Sequence, residues 1–178
     1  YLEVDQNGVI PFNMFSSKFI DVYLKVIIHS LDSERVDFYW LDSQDKKRAK
    51  EMYMLRHYQL YDMNRNYQRR PMMMAFNSNI AAHRYSVLYS GKTNVSWDTL
   101  KAIPFHNSSA SNIGVTWWSH DIGGYHKGVE DPELYIRSVQ LGVFSPILRF
   151  HSSSGKYYKR EPWKWDSRTS SIVARYLK

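Results

Sequence analysis

The chain contains no cysteine, so a disulfide framework, a thiol nucleophile and a cysteine-bearing zinc finger are all unavailable to it. That absence fits a reducing compartment, and a cytoplasmic location is the expectation. No apolar run approaches the ~20 residues that a membrane helix requires, so no membrane partner is expected. The chain opens on Tyr1 with neither a signal-peptide pattern nor an initiator methionine, which leads to the expectation of a fragment or a processed chain. No glycine-rich phosphate loop follows any candidate strand, which weakens a nucleotide-binding reading. The histidines and aspartates lack helix spacing such as His-x-x-x-His, so no metal is expected.

What is present is globular material. With 178 residues, 43% of them hydrophobic, the chain can form one domain with a core. Six Trp, fourteen Tyr and eight Phe are a heavy aromatic load. Such rings pack cores, and they also stack on sugar faces. The formal charge of +7 raises the question of nucleic acid. Its distribution speaks against that partner, because the basic residues gather in Lys46-Lys47-Arg48-Ala49-Lys50, Arg69-Arg70 and Lys156 to Arg160, with no continuous basic helix.

Hydrophobic periodicity orders the chain. Residues 1–14 read as extended, with Asn7-Gly8 as a turn. Ser16 or Ser17 caps a helix from about 17 to 31, with Phe19, Val22, Tyr23, Val26 and Ile27 at spacings of three and four. Strands are expected at 36–42, 71–76, 85–91, 113–118 and 143–150, and further helices from Lys46 to about Asn64, from Ser96, from Asp131 to about Leu141, and from Ser167 to Lys178. The dense methionines of the second strand read as core filler. Strands that alternate with helices and end in polar turns predict parallel β/α units, either an open sheet or most of a barrel.

In parallel sheets, ligands are held beyond the carboxyl ends of the strands. The residues there are Asp42, Phe76 with Asn77, Lys92, His120 with Asp121, and His151, a polar, aromatic-flanked set capable of acid/base work. Three of them have a plainer role open to them. Asp42 can cap the following helix, Asp121 can serve the Gly123-Gly124 turn, and His151 can be structural.

Several stretches, in one order, carry a resemblance. They are Trp40-Leu41-Asp42, His83-Arg84-Tyr85, Ser90-Gly91 followed by Ser96-Trp97, Trp117-Trp118-Ser119-His120-Asp121-Ile122-Gly123-Gly124, and Ser145-Pro146-Ile147-Leu148-Arg149-Phe150-His151. Together with Ile10-Pro11-Phe12-Asn13 and Lys159-Arg160-Glu161-Pro162-Trp163, these resemble glycoside hydrolase family 31, the retaining α-glucosidases and α-xylosidases. The resemblance implies an α/β chain forming part of a (β/α)8 TIM barrel, roughly its third loop to its eighth unit. Residues 1–178 would then be one catalytic-barrel fragment of a larger glycosidase, without the flanking β-sandwich domains. It implies an oligosaccharide or α-glycoside substrate, no cofactor, and the remainder of the barrel as the missing partner.

The same resemblance assigns roles. Asp42 matches the nucleophile of the Trp-x-Asp motif, and His151 matches a histidine that hydrogen-bonds sugar hydroxyls. Asp121 lies in a loop that lines the same pocket, beside His120. Trp40 and Trp118 either stack on the sugar or pack the barrel. Two departures stand out. Where the family carries Ser/Thr-Gly-Asp, with the general acid as its aspartate, this chain has Ser90-Gly91-Lys92. An ordinary lysine is poorly matched to proton donation near neutrality, so the acid is either Asp121 or a perturbed Lys92. Counting without gaps from Pro71, the family's substrate-holding arginine is replaced by Phe76. The alternative expectation is a catalytically impaired relative that binds carbohydrate or keeps only the fold.

Overall fold

The computed structural model describes residues 4–34, 36–41, 54, 56–61, 63, 72–76, 82–84, 87–128, 130–154 and 159–178. Two compact units divide the chain, Tyr1–Ser86 and Val87–Lys178. Among the described residues no helix is long and apolar enough to cross a membrane.

In the first unit the expected helix forms as three consecutive pieces: α1 (Ser17–Tyr23), a π-helical turn (Leu24–Ile28) and α2 (His29–Ser33). Ser16 starts it with extended backbone, its hydroxyl accepting from the Phe19 N–H at 3.3 Å. One face buries Phe19 and Ile20 with Met14 and Met54, and Tyr23, Leu24 and Leu41 close over them. The first strand, β1 (Tyr39–Leu41), is shorter than predicted, because residues 36–38 are irregular. It pairs in parallel with β2 (Met73–Phe76), Tyr39 opposite Met73 and Leu41 opposite Ala75. Met73, Met74 and Ala75 are all buried, as a strand covered on both faces requires. Helical backbone also occurs at 54, 56–61 and 63, inside the span predicted as the second helix.

The second unit repeats the motif. Its strands β3 (Val87–Tyr89) and β4 (Trp118–Ser119) are parallel, with Leu88 opposite Trp118 and Tyr89 opposite Ser119. Between them runs α3 (Trp97–Asn112), capped by Ser96, whose hydroxyl accepts from Thr99 N–H at 3.1 Å. α4 (Pro132–Gly142) starts at Asp131, whose carboxylate accepts from Leu134 N–H, with proline in the first turn where its missing donor costs nothing. α5 (Ser167–Tyr176) is capped by Asp166 in the same way. Ile122, Tyr135, Ile136, Val139, Trp165 and Val173 form the core beneath α4 and α5. Tyr135 and Trp165 stack at 4.6 Å, and the Tyr135 hydroxyl donates to the Arg160 carbonyl at 2.7 Å.

Two predicted strands are corrected. The stretch 113–118 is not a strand throughout, because α3 runs on to Asn112 and Ile113-Gly114 then close it, Gly114 at φ +84° and Ile113 exposed by 69%. Strand pairing begins only at Trp118. The stretch 143–150 contributes a single parallel bridge, Ile147 to Ser119. The Phe144 and Ser145 N–H groups are consumed by turn bonds to Leu141 and Gly142 carbonyls, and Pro146 has no N–H to offer a ladder.

Candidate active site

The second unit gathers its charged and aromatic residues just beyond β3, β4 and the Ile147 bridge. Asp121 lies two residues past β4, with its side chain wholly buried. Its Oδ1 accepts from Arg149 Nη2 at 2.7 Å and hydrogen-bonds His151 Nδ1 at 3.1 Å. Arg149 and His151 are two residues apart, and their side chains meet at one carboxylate oxygen. The Arg149 guanidinium also donates through Nε to Ser119 Oγ at 3.1 Å and lies 5.2 Å from the centre of the Tyr89 ring. Burial raises the pKa of Asp121, while Arg149 and His151 pull it back down. Its Oδ2 is buried and has no hydrogen-bond partner among the described residues.

The neighbouring His120 is 2% exposed. Burial, then the charges of Arg149 and His106, bring its pKa down to about 4, so the ring is neutral at ordinary pH.

Two loops hold the rim together. Tyr125 N–H donates to the Thr93 carbonyl at 2.8 Å, and Val95 N–H donates to the His126 carbonyl at 2.8 Å. Gly124, at φ +82°, makes this approach possible, since a Cβ there would stand 2.5 Å from the Asn94 carbonyl oxygen. Arg160 locks the same turn from below, donating to the Gly123 and Gly124 carbonyls at 2.9 and 3.0 Å. On this rim the Lys92 ammonium sits 5.2 Å from the centre of the Tyr125 ring, which also meets the His151 ring at 4.6 Å and the His126 ring at 5.5 Å. Lys92 follows Gly91, which takes φ +83° as the chain leaves β3.

Of the residues singled out from sequence, Asp121 and His151 are thus in direct contact, and Lys92 joins them one aromatic ring away. Trp118 is buried in β4. Trp40 and Phe76 are half-buried strand residues of the first unit, and Asp42 lies outside the described residues. Sequence reasoning gave no role to Arg149 or Tyr125. The Arg149-Phe150-His151 alternation was the signal that pointed to the first; nothing local pointed to the second. Among the described residues no cluster of three or more His, Asp or Glu could hold a metal.

A polar cluster just beyond the ends of parallel strands is what the binding face of a β/α barrel presents. The comparisons with known proteins agree. Residues 4–178 match the glycosyl hydrolases family 31 TIM-barrel domain, and the chain belongs to that family. It is 23% identical over 200 residues to the α-xylosidase of Saccharolobus solfataricus, covering 96% of this chain and 27% of that protein. It is 32% identical over 107 residues to human neutral α-glucosidase AB, covering 58% of this chain and 11% of that one. Among solved structures, the Flavobacterium johnsoniae family 31 dextranase complexed with glucose superposes with a TM-score of 0.78 at 21% identity, over 99% of this chain and 26% of the other. The chain therefore spans well under half the length of the relatives it matches.

Proposed function

We propose that the protein bearing this chain hydrolyses α-linked glycosides by a retaining mechanism, with Asp42 as nucleophile. What supports the reading most is the Asp121–Arg149–His151 cluster beyond β4, in a chain that matches the family over residues 4–178. The relatives' names, α-xylosidase and α-glucosidase, give the substrate class. In a retaining reaction the Asp42 carboxylate attacks the anomeric carbon, the leaving oxygen departs, and water then hydrolyses the glycosyl-enzyme. His151 is the sugar-contacting residue, being 22% exposed, and its imidazole is oriented through Nδ1 by Asp121. Asp121, with no exposed side-chain surface, acts through His151 and Arg149 rather than on the sugar.

The test is cleavage of an aryl α-glucoside or α-xyloside, whose leaving group needs no protonation, by the complete encoded protein. Turnover with retained anomeric configuration, abolished in Asp42→Ala, is the expected result. Undiminished activity in Asp42→Ala would overturn the nucleophile assignment.

One observation favours a second reading, a relative that binds sugar without turning it over: Lys92 stands where the family carries its acid, and loss of a general acid costs about 10²–10⁴-fold in rate. Binding of glucose without cleavage of the aryl glycosides would select it.

A further inference from the structure

Within the second unit, α4 and α5 enclose a groove of about 360 Å³ that is lined by no residue of the candidate site. Its two walls follow helical spacing. Glu133, Arg137 and Gln140 on α4, and Arg168, Ile172 and Arg175 on α5, each stand at i, i+4 and i+7, so each wall is one edge of its helix, two turns or about 10 Å long. At one end the walls are tied together, Gln140 Nε2 donating to the Tyr176 hydroxyl at 2.9 Å. An elongated trough between two packed helices has the shape that receives a third.

Charge then selects the kind of helix. The α4 wall is satisfied within itself, because Arg137 donates through Nε to Glu133 at 2.8 Å and through Nη1 to Gln140 at 2.9 Å. The α5 wall is cationic. Arg168 and Arg175 are exposed, and neither has an ion pair or side-chain hydrogen bond among the described residues. Between them in sequence stands half-buried Ile172, which packs on the core cluster that contains Ile136. The Tyr176 hydroxyl, an acceptor towards Gln140, keeps its own proton to donate.

We propose that this groove docks an amphipathic helix of a protein partner that carries two carboxylates seven residues apart, with an apolar residue between them. The carboxylates meet Arg168 and Arg175, whose planar guanidinium groups suit bidentate pairing with carboxylate, and the apolar residue lies against Ile172. The Glu133–Arg137 pair is neutral as a unit, so it does not repel such a helix. A compact anion fits less well, since the two arginine backbones stand two turns apart, and a nucleic-acid strand calls for a longer row of cations than two.

The experiment titrates the complete encoded protein into labelled alanine-based helical peptides and follows fluorescence anisotropy. The test peptide has Glu at i and i+7 with Leu at i+3 and i+4. In one control the second Glu moves to i+5, on another face; in a second control both Glu are Lys. The test peptide is expected to bind saturably, less tightly as salt rises, and about 5-fold more weakly to Arg168→Gln and to Arg175→Gln. The double variant Arg168→Glu/Arg175→Glu should release the Glu peptide and take up the Lys peptide, an exchange of preference that mere loss of folding would not produce. No saturable binding of the test peptide, equal binding of the i+5 peptide, or an unchanged preference in the double variant overturns the proposal. Inorganic phosphate and a short single-stranded oligonucleotide are the competitors. Displacement by phosphate beyond that by chloride of equal ionic strength, or tighter binding of the oligonucleotide, identifies a different anion site and also overturns it.

Discussion

Two strands of the second unit end on a charged residue within three positions, and the two ends have opposite fates. Beyond β4, Asp121 is driven inward, fully buried, and met by a guanidinium and an imidazole. Beyond β3, Lys92 stays at the surface, its ammonium 5.2 Å from the centre of the Tyr125 ring. The difference lies in what the neighbouring chain supplies. The loop after Ile147 brings Arg149 and His151 to Asp121, and without them the buried carboxylate would be untenable. Lys92 is exposed, so water solvates its charge. One end is therefore a fixed piece of architecture, and the other is open to change without loss of the fold.

Arg149→Met breaks the comparison most severely. It strands a buried carboxylate with His151 alone, and by the usual cost of halving a buried ion pair the unit should lose about 3–5 kcal/mol in denaturant unfolding.

The second effect comes through His120. Its folded pKa of about 4 lies below the ordinary value of 6.5, so the fold favours the neutral ring. The stability it contributes is complete above pH ~6.5 and is lost as pH falls towards ~4, to a limit of about 3 kcal/mol. Asp121, raised by burial, works in the opposite direction over acid pH. The difference between wild type and His120→Asn isolates the histidine: wild type should lose more stability than the variant in unfolding curves taken between pH 7 and pH 4.5. Parallel losses would contradict the assignment.

The smallest effect is expected at Lys92. Lys92→Met should change unfolding free energy by no more than about 0.5–1 kcal/mol, the worth of an exposed cation–aromatic contact. A loss as large as that of Arg149→Met would erase the distinction between the two ends.

Much of this architecture was legible in residue order. The caps at Ser16, Ser96 and Asp131 announced three helices, and the buried run Met73 to Ala75 announced a covered strand. What failed was strand length. Ile113 to Trp118 reads as a strand on composition, yet α3 runs up to it and Ile113-Gly114 close the helix, so pairing starts only at Trp118, and Pro146 confines the last predicted strand to one bridge. The site was legible in part, because Asp121 and His151 stood in recognisable runs. That they share one carboxylate oxygen with Arg149 depends on 28 and 30 intervening residues, a separation across which periodicity carries no information. The Lys92–Tyr125 contact likewise arises from loop pairing permitted by Gly124.

The central proposal is that Asp42 is the nucleophile of a chain that carries Lys92 where the resemblance to the family leads one to expect an aspartate. It is tested most directly by mass spectrometry of the complete protein after reaction with an α-glycosyl fluoride whose second step is slow. The account predicts one added glycosyl mass on the peptide containing Asp42, absent from Asp42→Asn. Label on another carboxylate, or the same label in Asp42→Asn, would contradict it.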